Sequence, residues 1–464
     1  MNENTKLIAV GEKYTMEIVD ITHSGEGLGR LENMIVFVEG ALPGDVVEVE
    51  IKTVKKTYAQ GKLLTIKENS PERVVPECQY FNECGGCQLL HMSYEGQLRI
   101  KSKLVKDALE RIGGLKDLAI EPIIGMAEPS RYRNKAQFKV DQKGMGFYAK
   151  RTHNLVHIDD CLNQPESAAD VIKTMNTIIK DLNLSIYDEK TRKGYIRGVL
   201  QRTNLKGENM ITIIVNGKDL SQREAIVNAI LAGVPNVKSV YVNINREKSN
   251  VILGKKSLCV HGVARIVEEI GDLSFSISPN SFFQVNSKQT VKLYDQIKEM
   301  ASLKGTETVF DLYCGTGTIG LYLAKEAKQV IGIESVGDAI LDARENAGLN
   351  HFDNVTFYQG RAEEEMLRIT KVEKIKPDLI ILDPPRKGCE ETLLNAIGDL
   401  KTPRVIYVSC NPSTLARDIK ILTELGYAVK KVQPVDLFPG TGHVETVVLL
   451  ERLVRKIKGL GDHQ

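Results

Sequence analysis

One cysteine stands out by its position, in the stretch VSCNPSTLARD that runs from Val408 to Asp418. Cys410 comes where an apolar run ends and an Asn-Pro pair begins, which is typical of a strand that turns into a loop. A cysteine at such a place is either a small residue buried at the end of a strand or a nucleophile. The stretch alone fits both interpretations, so the elements around it have to decide between them.

A glycine-rich turn lies earlier in the chain, in DLYCGTGTIG. Gly315, Gly317 and Gly320 match the spacing Gly-x-Gly-x-x-Gly after an apolar strand and at the start of a helix, and Glu334 ends the next strand. That context fits an adenosine-containing cofactor, with the carboxylate on the ribose hydroxyls. It does not by itself distinguish a dinucleotide from S-adenosylmethionine.

Two aspartates also end apolar strands. Asp311, just before the glycine turn, would repel the pyrophosphate of a dinucleotide and so favours the cationic S-adenosylmethionine, although a capping role fits either cofactor. Asp383 precedes two prolines, which fix the backbone outside regular structure. We therefore expect its carboxylate at the carboxyl edge of a sheet, where ligands bind, with a plain strand-ending turn as the alternative.

The elements that must position these side chains begin at about Thr306. Apolar strands such as VFDLYCG, QVIGIE, DLIILDPP and RVIYVSCNP alternate with helical segments, which indicates a parallel, doubly wound sheet. The last two strands, AVKKVQPVDLF and ETVVLLER, have no helix between them, so we expect them to form an antiparallel edge.

The preceding half of the chain has other patterns. Short β-rich runs from about Gly11 to Glu68, divided by turns, predict a small barrel. Helical spacing predicts a helix over Ser93–Ile112. The region from about Glu121 to Phe275 mixes both periods, and periodicity does not assign its topology.

The composition limits the classes of protein to which the chain can belong. The chain has 464 residues, 42% of them hydrophobic and 26% charged, which is typical of a globular protein of several domains. The sequence has no apolar run that approaches the ~20 residues of a membrane span and no signal peptide pattern, so we expect a cytoplasmic protein without a membrane partner. The net charge of +2 says little about partners.

Three of the eight cysteines cluster in CQYFNECGGC: Cys78, Cys84 and Cys87. In a reducing compartment such a cluster is more often a metal site than a set of disulfides. Zinc and iron–sulfur sites both use four thiolates, and spacing alone does not choose Cys161 over Cys259 as the fourth.

A basic segment lies between these regions, in RYRNKAQFKV from Arg131 to Val140. Its basic side chains alternate with Tyr132 and Phe138, a composition that suits phosphate contact and base stacking in single-stranded nucleic acid. An ordinary amphipathic strand is the alternative interpretation.

Taken together and in order, the motifs SFFQVN (Ser281–Asn286), DLYCGTG, ILDPPRKG, YVSCNPSTLARD and GHVETVVLLER resemble those of the RNA uracil-5 methyltransferases. The resemblance covers nearly the whole chain and is greatest to the iron–sulfur-containing branch that acts on 23S ribosomal RNA. It implies a Rossmann-like α/β methyltransferase domain, an N-terminal OB-like TRAM barrel and a central α+β domain.

The resemblance also implies site residues. Gln284, Tyr313, Glu334 and Asp383 match the residues that hold S-adenosylmethionine in the family, Cys410 matches the nucleophile and Glu445 the base. The ligands of a [4Fe-4S] cluster match Cys78, Cys84, Cys87 and Cys161. The implied partner is a single-stranded or loop uridine of 23S ribosomal RNA, and we expect a monomer.

The expected domains are a TRAM barrel over 5–66, a central iron–sulfur and RNA-binding domain over 70–92 and 116–275, and a catalytic domain over 93–115 and 276–458. The expected chemistry follows from uracil itself. Carbon 5 is a poor nucleophile until a thiolate adds to carbon 6, and a base must afterwards remove the proton from carbon 5.

Several alternatives stay open at this point. Amino-group methyltransferases carry an aromatic residue after the two prolines, where this chain has Arg386, so a carbon target is favoured. An RNA cytosine-5 methyltransferase would usually carry a second cysteine at the position of Asp383. The non-enzymatic alternative is an RNA-binding assembly factor with an inert methyltransferase fold.

Overall fold

The computed structural model describes residues 8–248 and 251–453. Residues 5–7 and 454–458 of the expected domain ranges lie outside this part of the chain. The chain divides into two compact units. The first contains the described residues up to Leu104, together with Gly125–Ile266 and Asp436–His443; the second contains Val105–Ile124, Val267–Val435 and the described residues from Val444. The division into three domains stays a prediction.

The first unit begins with a closed five-stranded barrel of order β1-β2-β3-β5-β4. Its strands are β1 (Lys13–Ile21), β2 (Glu26–Leu31), β3 (Met34–Glu39), β4 (Val46–Val54) and β5 (Tyr58–Glu68). Alternate residues such as Ile18, Val36 and Ile51 are buried inside it, as the period of two in a strand requires. Gly27 is needed on β2 because a Cβ there would lie 2.6 Å from the carbonyl oxygen of Ala41. The expected barrel is confirmed.

A seven-stranded sheet forms the rest of the first unit, in the order β12-β11-β10-β9-β6-β7-β8. Its elements are β6 (Lys135–Asp141), β7 (Gly144–Tyr148), β8 (Leu155–His157), α2 (Ser167–Asp181), β9 (Ile196–Thr203), β10 (Asn209–Val215), α3 (Arg223–Gly233), β11 (Val237–Ile244) and β12 (Lys256–Gly262). Helices α2 and α3 contribute to the hydrophobic core of this sheet through residues such as Ile172 and Ile226. Only β10 and β11 pair in parallel among these described strands.

Helix α1 (Tyr94–Arg111) falls where periodicity predicts a helix, and its last turns belong to the second unit. The two short strands β13 (Ile266–Ile270) and β14 (Leu273–Ile277) pair with each other. The main sheet of the second unit has the order β17-β16-β15-β18-β19-β21-β20.

The remaining elements are α4 (Ser287–Ala301), β15 (Thr308–Leu312), α5 (Thr318–Ala324), β16 (Gln329–Glu334), α6 (Gly337–Leu349), β17 (Val355–Gln359), α7 (Ala362–Arg368), a π-helical turn (Ile369–Glu373), β18 (Leu379–Leu382), α8 (Glu391–Leu400), β19 (Arg404–Ser409), α9 (Pro412–Glu424), β20 (Tyr427–Val435) and β21 (Glu445–Arg452).

The first five strands of this order are parallel, and β21 and β20 are antiparallel additions. Phe310, Ile331 and Ile380 are wholly buried, because helices cover both faces of a parallel sheet. The α/β fold and the antiparallel edge are confirmed. Within the described ranges, no helix combines the length and the apolar character that a membrane span needs.

Candidate active site

The parallel strands of the second unit end at one edge of the sheet. Leu312 at the end of β15 pairs with Leu382 at the end of β18, and Leu382 pairs with Tyr407 of β19. The residues just after these strands, Tyr313, Asp383 and Cys410, therefore lie along the same carboxyl edge. This is the edge at which open α/β sheets bind their ligands.

Strand β21 brings a carboxylate to this edge because it runs in the opposite direction. Its register with β19 extends from Glu451 opposite Arg404 to Thr446 opposite Ser409. One further step along each strand places Glu445, the first residue of β21, opposite Cys410. The two side chains interact electrostatically, and the carboxylate raises the pKa of the thiol.

Burial dominates the electrostatics of this group. It raises the pKa of Glu445 to about 8, with a further contribution from Asp383, while the Arg386 guanidinium opposes the shift. Burial likewise raises the pKa of Asp383 to about 7. The pKa of Cys410 is raised to about 11 by burial and by Glu445 and Asp383, against Arg386. Three acids thus gather at one buried edge, and the Arg386 guanidinium favours the charged forms of Cys410 and Glu445.

Side-chain hydrogen bonds to its carbonyl oxygen hold Arg386 against the loop of Cys410. The Asn411 side-chain amide donates to the Arg386 carbonyl oxygen at 3.2 Å, and the Thr414 hydroxyl donates to the same oxygen at 3.3 Å. Asn411 also caps α9, since its side-chain oxygen accepts a hydrogen bond from the backbone N–H of Ser413. The residue that follows Cys410 therefore ties the loop of Arg386 to the start of α9.

The Arg417 side chain is held away from Cys410. Its guanidinium pairs with the buried Asp418 at 2.7 Å and donates to the Lys387 carbonyl oxygen at 2.9 Å. Asp418 also accepts from the Cys389 backbone N–H, and Gly388 is required between them because a Cβ there would lie 2.5 Å from the Asp418 carboxylate. The sequence does not show which way the Arg417 side chain points, and it does not identify Arg386 as the cation that interacts with Cys410.

The glycine turn is built around Glu334. One carboxylate oxygen of Glu334 accepts from the Gly315 backbone N–H at 3.2 Å, and the other accepts from the Val336 backbone N–H at 2.8 Å. Tyr313, Gly315 and Gly317 have φ of +64°, +54° and +81°. A glycine is needed at 317 because a Cβ would lie 2.8 Å from the Phe357 ring. The end of β16 and the turn after β15 therefore form one rigid edge beside Tyr313.

Asp311 ties the glycine turn to its strand with one of its two carboxylate oxygens. One of its carboxylate oxygens accepts from the Gly320 backbone N–H at 2.8 Å, which ties the strand to α5. The other oxygen is buried without a hydrogen-bond partner. Burial raises the pKa of Asp311 to about 7, and the charges of Asp383 and Glu334 act in the same direction.

Gln284 lies on the loop that leads into α4. The loop is held to α6 by a hydrogen bond of 2.6 Å from the Ser281 hydroxyl to Asp342. It is held to the glycine turn by the Thr316 hydroxyl, which donates to the Phe282 carbonyl oxygen at 3.5 Å. Residues 281–286 thus border the same turn as Glu334.

The clustered cysteines belong to the first unit. All six pairs among the four predicted ligands interact electrostatically: Cys78, Cys84, Cys87 and Cys161. The Asn163 side-chain amide also donates to the Cys87 sulfur at 3.1 Å. Cys259 is exposed on β12. The structure therefore gathers Cys161, and not Cys259, with the three clustered thiols.

The prediction that Tyr132 and Phe138 stack on bases is wrong. Tyr132 is 6% exposed and Phe138 is 1% exposed, because β6 packs Phe138 into the core against α2. Arg131 pairs with Asp160 at 2.6 Å and donates to the Cys161 carbonyl oxygen. This segment supports the fold and holds the residues around Cys161.

Comparison with known proteins identifies the family. The model of the tRNA (uracil-5-)-methyltransferase family matches residues 93–453, and the TRAM domain model matches residues 9–64. The chain belongs to the tRNA (uracil-5-)-methyltransferase family. It is thus a member of the S-adenosylmethionine-dependent RNA uracil-5 methyltransferases, and the resemblance seen in its motifs is confirmed.

Relatives of this family match nearly the full length. An uncharacterized RNA methyltransferase of Clostridium tetani is 46% identical over 443 residues, which cover 94% of this chain and 96% of the relative. One of Halalkalibacterium halodurans is 46% identical over 439 residues, with the same coverage of each. The solved Pyrococcus abyssi tRNA (uracil-54, C5)-methyltransferase, in complex with S-adenosyl-L-homocysteine, is 29% identical and has a TM-score of 0.77 over 94% of this chain and 100% of that chain.

The first prediction concerns the cation beside Cys410. Because Arg386 favours the thiolate, Arg386→Gln raises the pKa of Cys410 further and lowers the fraction ionised. We expect slower alkylation of Cys410 by iodoacetamide at pH 8, by about tenfold for each unit of pKa. The rate is measured on the Cys410 peptide by mass spectrometry, without RNA or donor.

The matched control is Lys387→Gln, which neutralises the next residue. Lys387 is exposed and pairs with Glu390 at 2.6 Å. This variant should be alkylated at the parent rate. Equal rates for Arg386→Gln and the parent would show that the guanidinium does not act on the thiol.

Proposed function

We propose that this protein methylates carbon 5 of a uridine in 23S ribosomal RNA through a covalent bond between Cys410 and the base. The observation that carries the proposal is the register of β19 and β21, which sets a cysteine opposite a buried carboxylate. A protein that only binds RNA needs neither group, so this pairing argues against an inert assembly factor.

The Cys410 sulfur acts first in the proposed reaction. It adds to carbon 6 of uracil and makes carbon 5 electron-rich enough to attack the sulfonium methyl group, so that S-adenosylhomocysteine leaves. A thiol with a pKa of about 11 is almost wholly protonated at neutral pH, so ionisation needs help. Arg386 supplies one positive charge, and the cationic donor brings a second to this cluster of acids.

Glu445 completes the reaction as the base. It removes the proton from carbon 5, and the bond between carbon 6 and sulfur then breaks to restore the uracil ring. A carboxylate whose pKa is raised to about 8 binds a proton more strongly than an ordinary glutamate. Its burial therefore suits it to this step once the cluster is ionised.

The donor is assigned to the edge between β15, β16 and β18. Glu334, held by two backbone N–H groups, is the acceptor for the ribose hydroxyls. Tyr313, Gln284 and Asp383 line the remainder of the proposed donor site. The unpartnered oxygen of Asp311 faces no competing hydrogen-bond donor and supports a cationic ligand.

The RNA target has two candidates. The resemblance supports 23S ribosomal RNA, whereas the solved neighbour from Pyrococcus abyssi is a tRNA (uracil-54, C5)-methyltransferase by its description, which supports transfer RNA. Family membership favours uracil over cytosine. The monomeric state and the cytoplasmic location also belong to this proposal.

The target is tested by mapping 5-methyluridine in ribosomal and transfer RNA of a strain that lacks the gene. We expect at least one 23S uridine to lose its methyl group and to regain it when the parent gene is restored. Restoring a Cys410→Ala gene serves as the matched control and should leave the site unmodified. Loss in transfer RNA alone would overturn the ribosomal assignment but not the chemistry.

The covalent mechanism is tested with two variants and one control. Glu445→Gln should accumulate a protein–RNA adduct that survives denaturing electrophoresis, because the proton on carbon 5 cannot leave. Cys410→Ala should form no adduct and transfer no methyl group while it still binds S-adenosylmethionine in calorimetry. Cys259→Ala, which alters an exposed cysteine, should behave as the parent. An active Cys410→Ala enzyme contradicts the nucleophile assignment.

We also propose that the four gathered cysteines hold a [4Fe-4S] cluster. Four thiols meet from two segments of the chain, which is the donor set of such a cluster. Among the described residues, no group of three or more His, Cys, Asp or Glu side chains is arranged to hold a metal ion. The proposal rests on the proximity of the four thiols and on the family resemblance. When bound, the cluster would cross-link residues 78–87 to Cys161, and the methyl transfer itself needs no electrons.

Protein purified without oxygen should therefore be brown and absorb near roughly 400 nm, as iron–sulfur thiolates do. We expect iron and acid-labile sulfide in the parent and in Cys259→Ser. Cys87→Ser should lose most of both. Stoichiometric zinc in a colourless parent protein would contradict the assignment.

A further inference from the structure

One lysine of helix α1 is wholly buried and takes no part in the proposed reaction. Lys101 is 0% exposed, and its ammonium group lies 2.6 Å from a carboxylate oxygen of Asp436, which is also 0% exposed. It donates a second hydrogen bond to the Phe438 carbonyl oxygen at 3.0 Å. Burial lowers the pKa of Lys101, and the charge of Asp436 opposes the shift. Buried charges are tolerated in proteins when they are paired in this way.

Asp436 is the first residue of the loop that leads to the proposed base. Strand β20 ends at Val435 and β21 begins at Glu445, and these two residues pair with each other. A two-residue hairpin turn sets the register of its strands, but the nine residues 436–444 form too long a loop to do so. The ladder between β21 and β19 ends at Thr446, one residue before Glu445 is reached. The position of Glu445 therefore depends on how the loop is held.

One face of α1 holds this loop. Tyr94, Gln97 and Lys101 are three and four residues apart, so they lie on the same side of the helix. The Tyr94 hydroxyl donates to the second carboxylate oxygen of Asp436 at 3.0 Å. The Gln97 side-chain oxygen accepts from the Gly440 backbone N–H at 2.8 Å. Together with Lys101, these contacts hold both the start and the middle of the loop.

The later turns of α1 share a hydrophobic core with β21. Val105 and Ala108 continue the same face of the helix, and both are buried in one core with Val444 and Val448. Lys101 lies one turn before Val105 in a continuous helix. The helix that holds the loop is thus also packed into the core of the strand into which the loop leads.

We propose that Lys101 and Asp436 are positioning residues for Glu445, whose ion pair holds the loop so that the Glu445 carboxylate stays opposite Cys410. The inference rests on the proposed function, since it concerns the step that Glu445 performs. Stability is a weak reason for such a pair, because replacing a buried ion pair by neutral side chains of similar volume is often neutral or stabilising. The pair instead selects one arrangement of the loop.

The test neutralises both charges at once. In Lys101→Met/Asp436→Asn no buried charge is left without a partner. The asparagine can still accept hydrogen bonds from the Tyr94 hydroxyl and the Phe438 backbone N–H, as the aspartate does. We therefore expect this double variant to melt close to the temperature of the parent protein, which thermal melting checks.

Two single variants accompany it. Lys106→Met is the matched control, because Lys106 is an exposed lysine of the same helix and pairs with Glu110 at 3.8 Å. Tyr94→Phe removes one hydrogen bond to Asp436 and keeps the ion pair. It should act in the same direction as the double variant but less strongly.

The first measurement needs neither RNA nor methyl transfer. The Glu445 carboxylate raises the pKa of Cys410, so a carboxylate that moves away lets this pKa fall. At about pH 9 Glu445 is mostly ionised, since its pKa is about 8. We expect iodoacetamide to alkylate Cys410 about threefold faster in the double variant, which corresponds to about half a pKa unit. Glu445→Gln should be at least as fast, and Lys106→Met should match the parent.

The second measurement identifies the affected step. RNA is incubated with S-adenosylmethionine that carries a labelled methyl group. A displaced base slows removal of the proton from carbon 5 after the methyl group has been transferred. The double variant should therefore accumulate methylated RNA that stays bound to the protein in denaturing electrophoresis, as Glu445→Gln should. Its kcat should fall by about tenfold, while KM for RNA does not rise.

Parent alkylation rates in the folded double variant would overturn the inference. If that variant does not fold, the same result for Tyr94→Phe would overturn it. So would a loss of activity without bound RNA in the double variant while Glu445→Gln accumulates it. A failure of the proposed function looks different, because then Glu445→Gln also forms no adduct, and the alkylation rates still test the position of Glu445.

Discussion

The proximity of Cys410 and Glu445 in the second unit depends on one strand, β21, that is antiparallel to its neighbours. In a parallel sheet every strand ends at the same edge, so a side chain that follows β19 can meet only residues that follow other strands. Strand β21 is antiparallel and therefore begins at that edge, with Glu445 opposite Cys410 by continuation of the register. A shift of one residue would turn Glu445 to the other face of the sheet. The buried side chains of Val447, Val448 and Leu450 hold that register.

This geometry has an electrostatic cost. Asp383, Glu445 and Cys410 are gathered in surroundings that raise the pKa of each, so the folded protein retains protons that the unfolded chain would release. Their contribution to the free energy of unfolding therefore decreases as pH rises from the ordinary carboxyl values toward about 8. Proteins commonly sacrifice stability in this way at a catalytic site. Here burial of the apolar strands of the sheet offsets the loss of stability, and the positive charge of Arg386 reduces that loss.

The sequence predicted the strands and helices whose positions are set by hydrophobic periodicity and by turn residues. Continuous apolar strands that end in Gly-rich or Asp-Pro-Pro turns can be recognised in the sequence, because both faces of a parallel sheet are buried. The sequence did not show in which direction individual side chains point. Arg417 and Arg386 are both basic residues close to Cys410 in the sequence or the fold, and contacts with the buried Asp418 and the Lys387 carbonyl oxygen hold Arg417 away from it. Tyr132 and Phe138 were misassigned because periodicity did not reveal that Phe138 faces the core packed against α2, or that Tyr132 is buried with its hydroxyl donating to the Pro439 carbonyl oxygen. Glu445 was reached through family resemblance, since a register between strands far apart in the sequence leaves no local pattern.

In the first unit, one short segment carries three of the clustered thiols and also lines a cavity. Phe81 lies between Cys78 and Cys84, and His91 follows Cys87 by four residues, so the stretch that carries three of the thiols also lines a cavity of about 950 Å³ beside the barrel strands β3 and β5. The Gly85 backbone N–H donates to the Tyr148 carbonyl oxygen at 2.9 Å, and a Cβ at Gly85 would lie 2.9 Å from that oxygen. This close contact fixes the wall next to Lys150. A group that cross-links these thiols to Cys161 would restrict the same wall further.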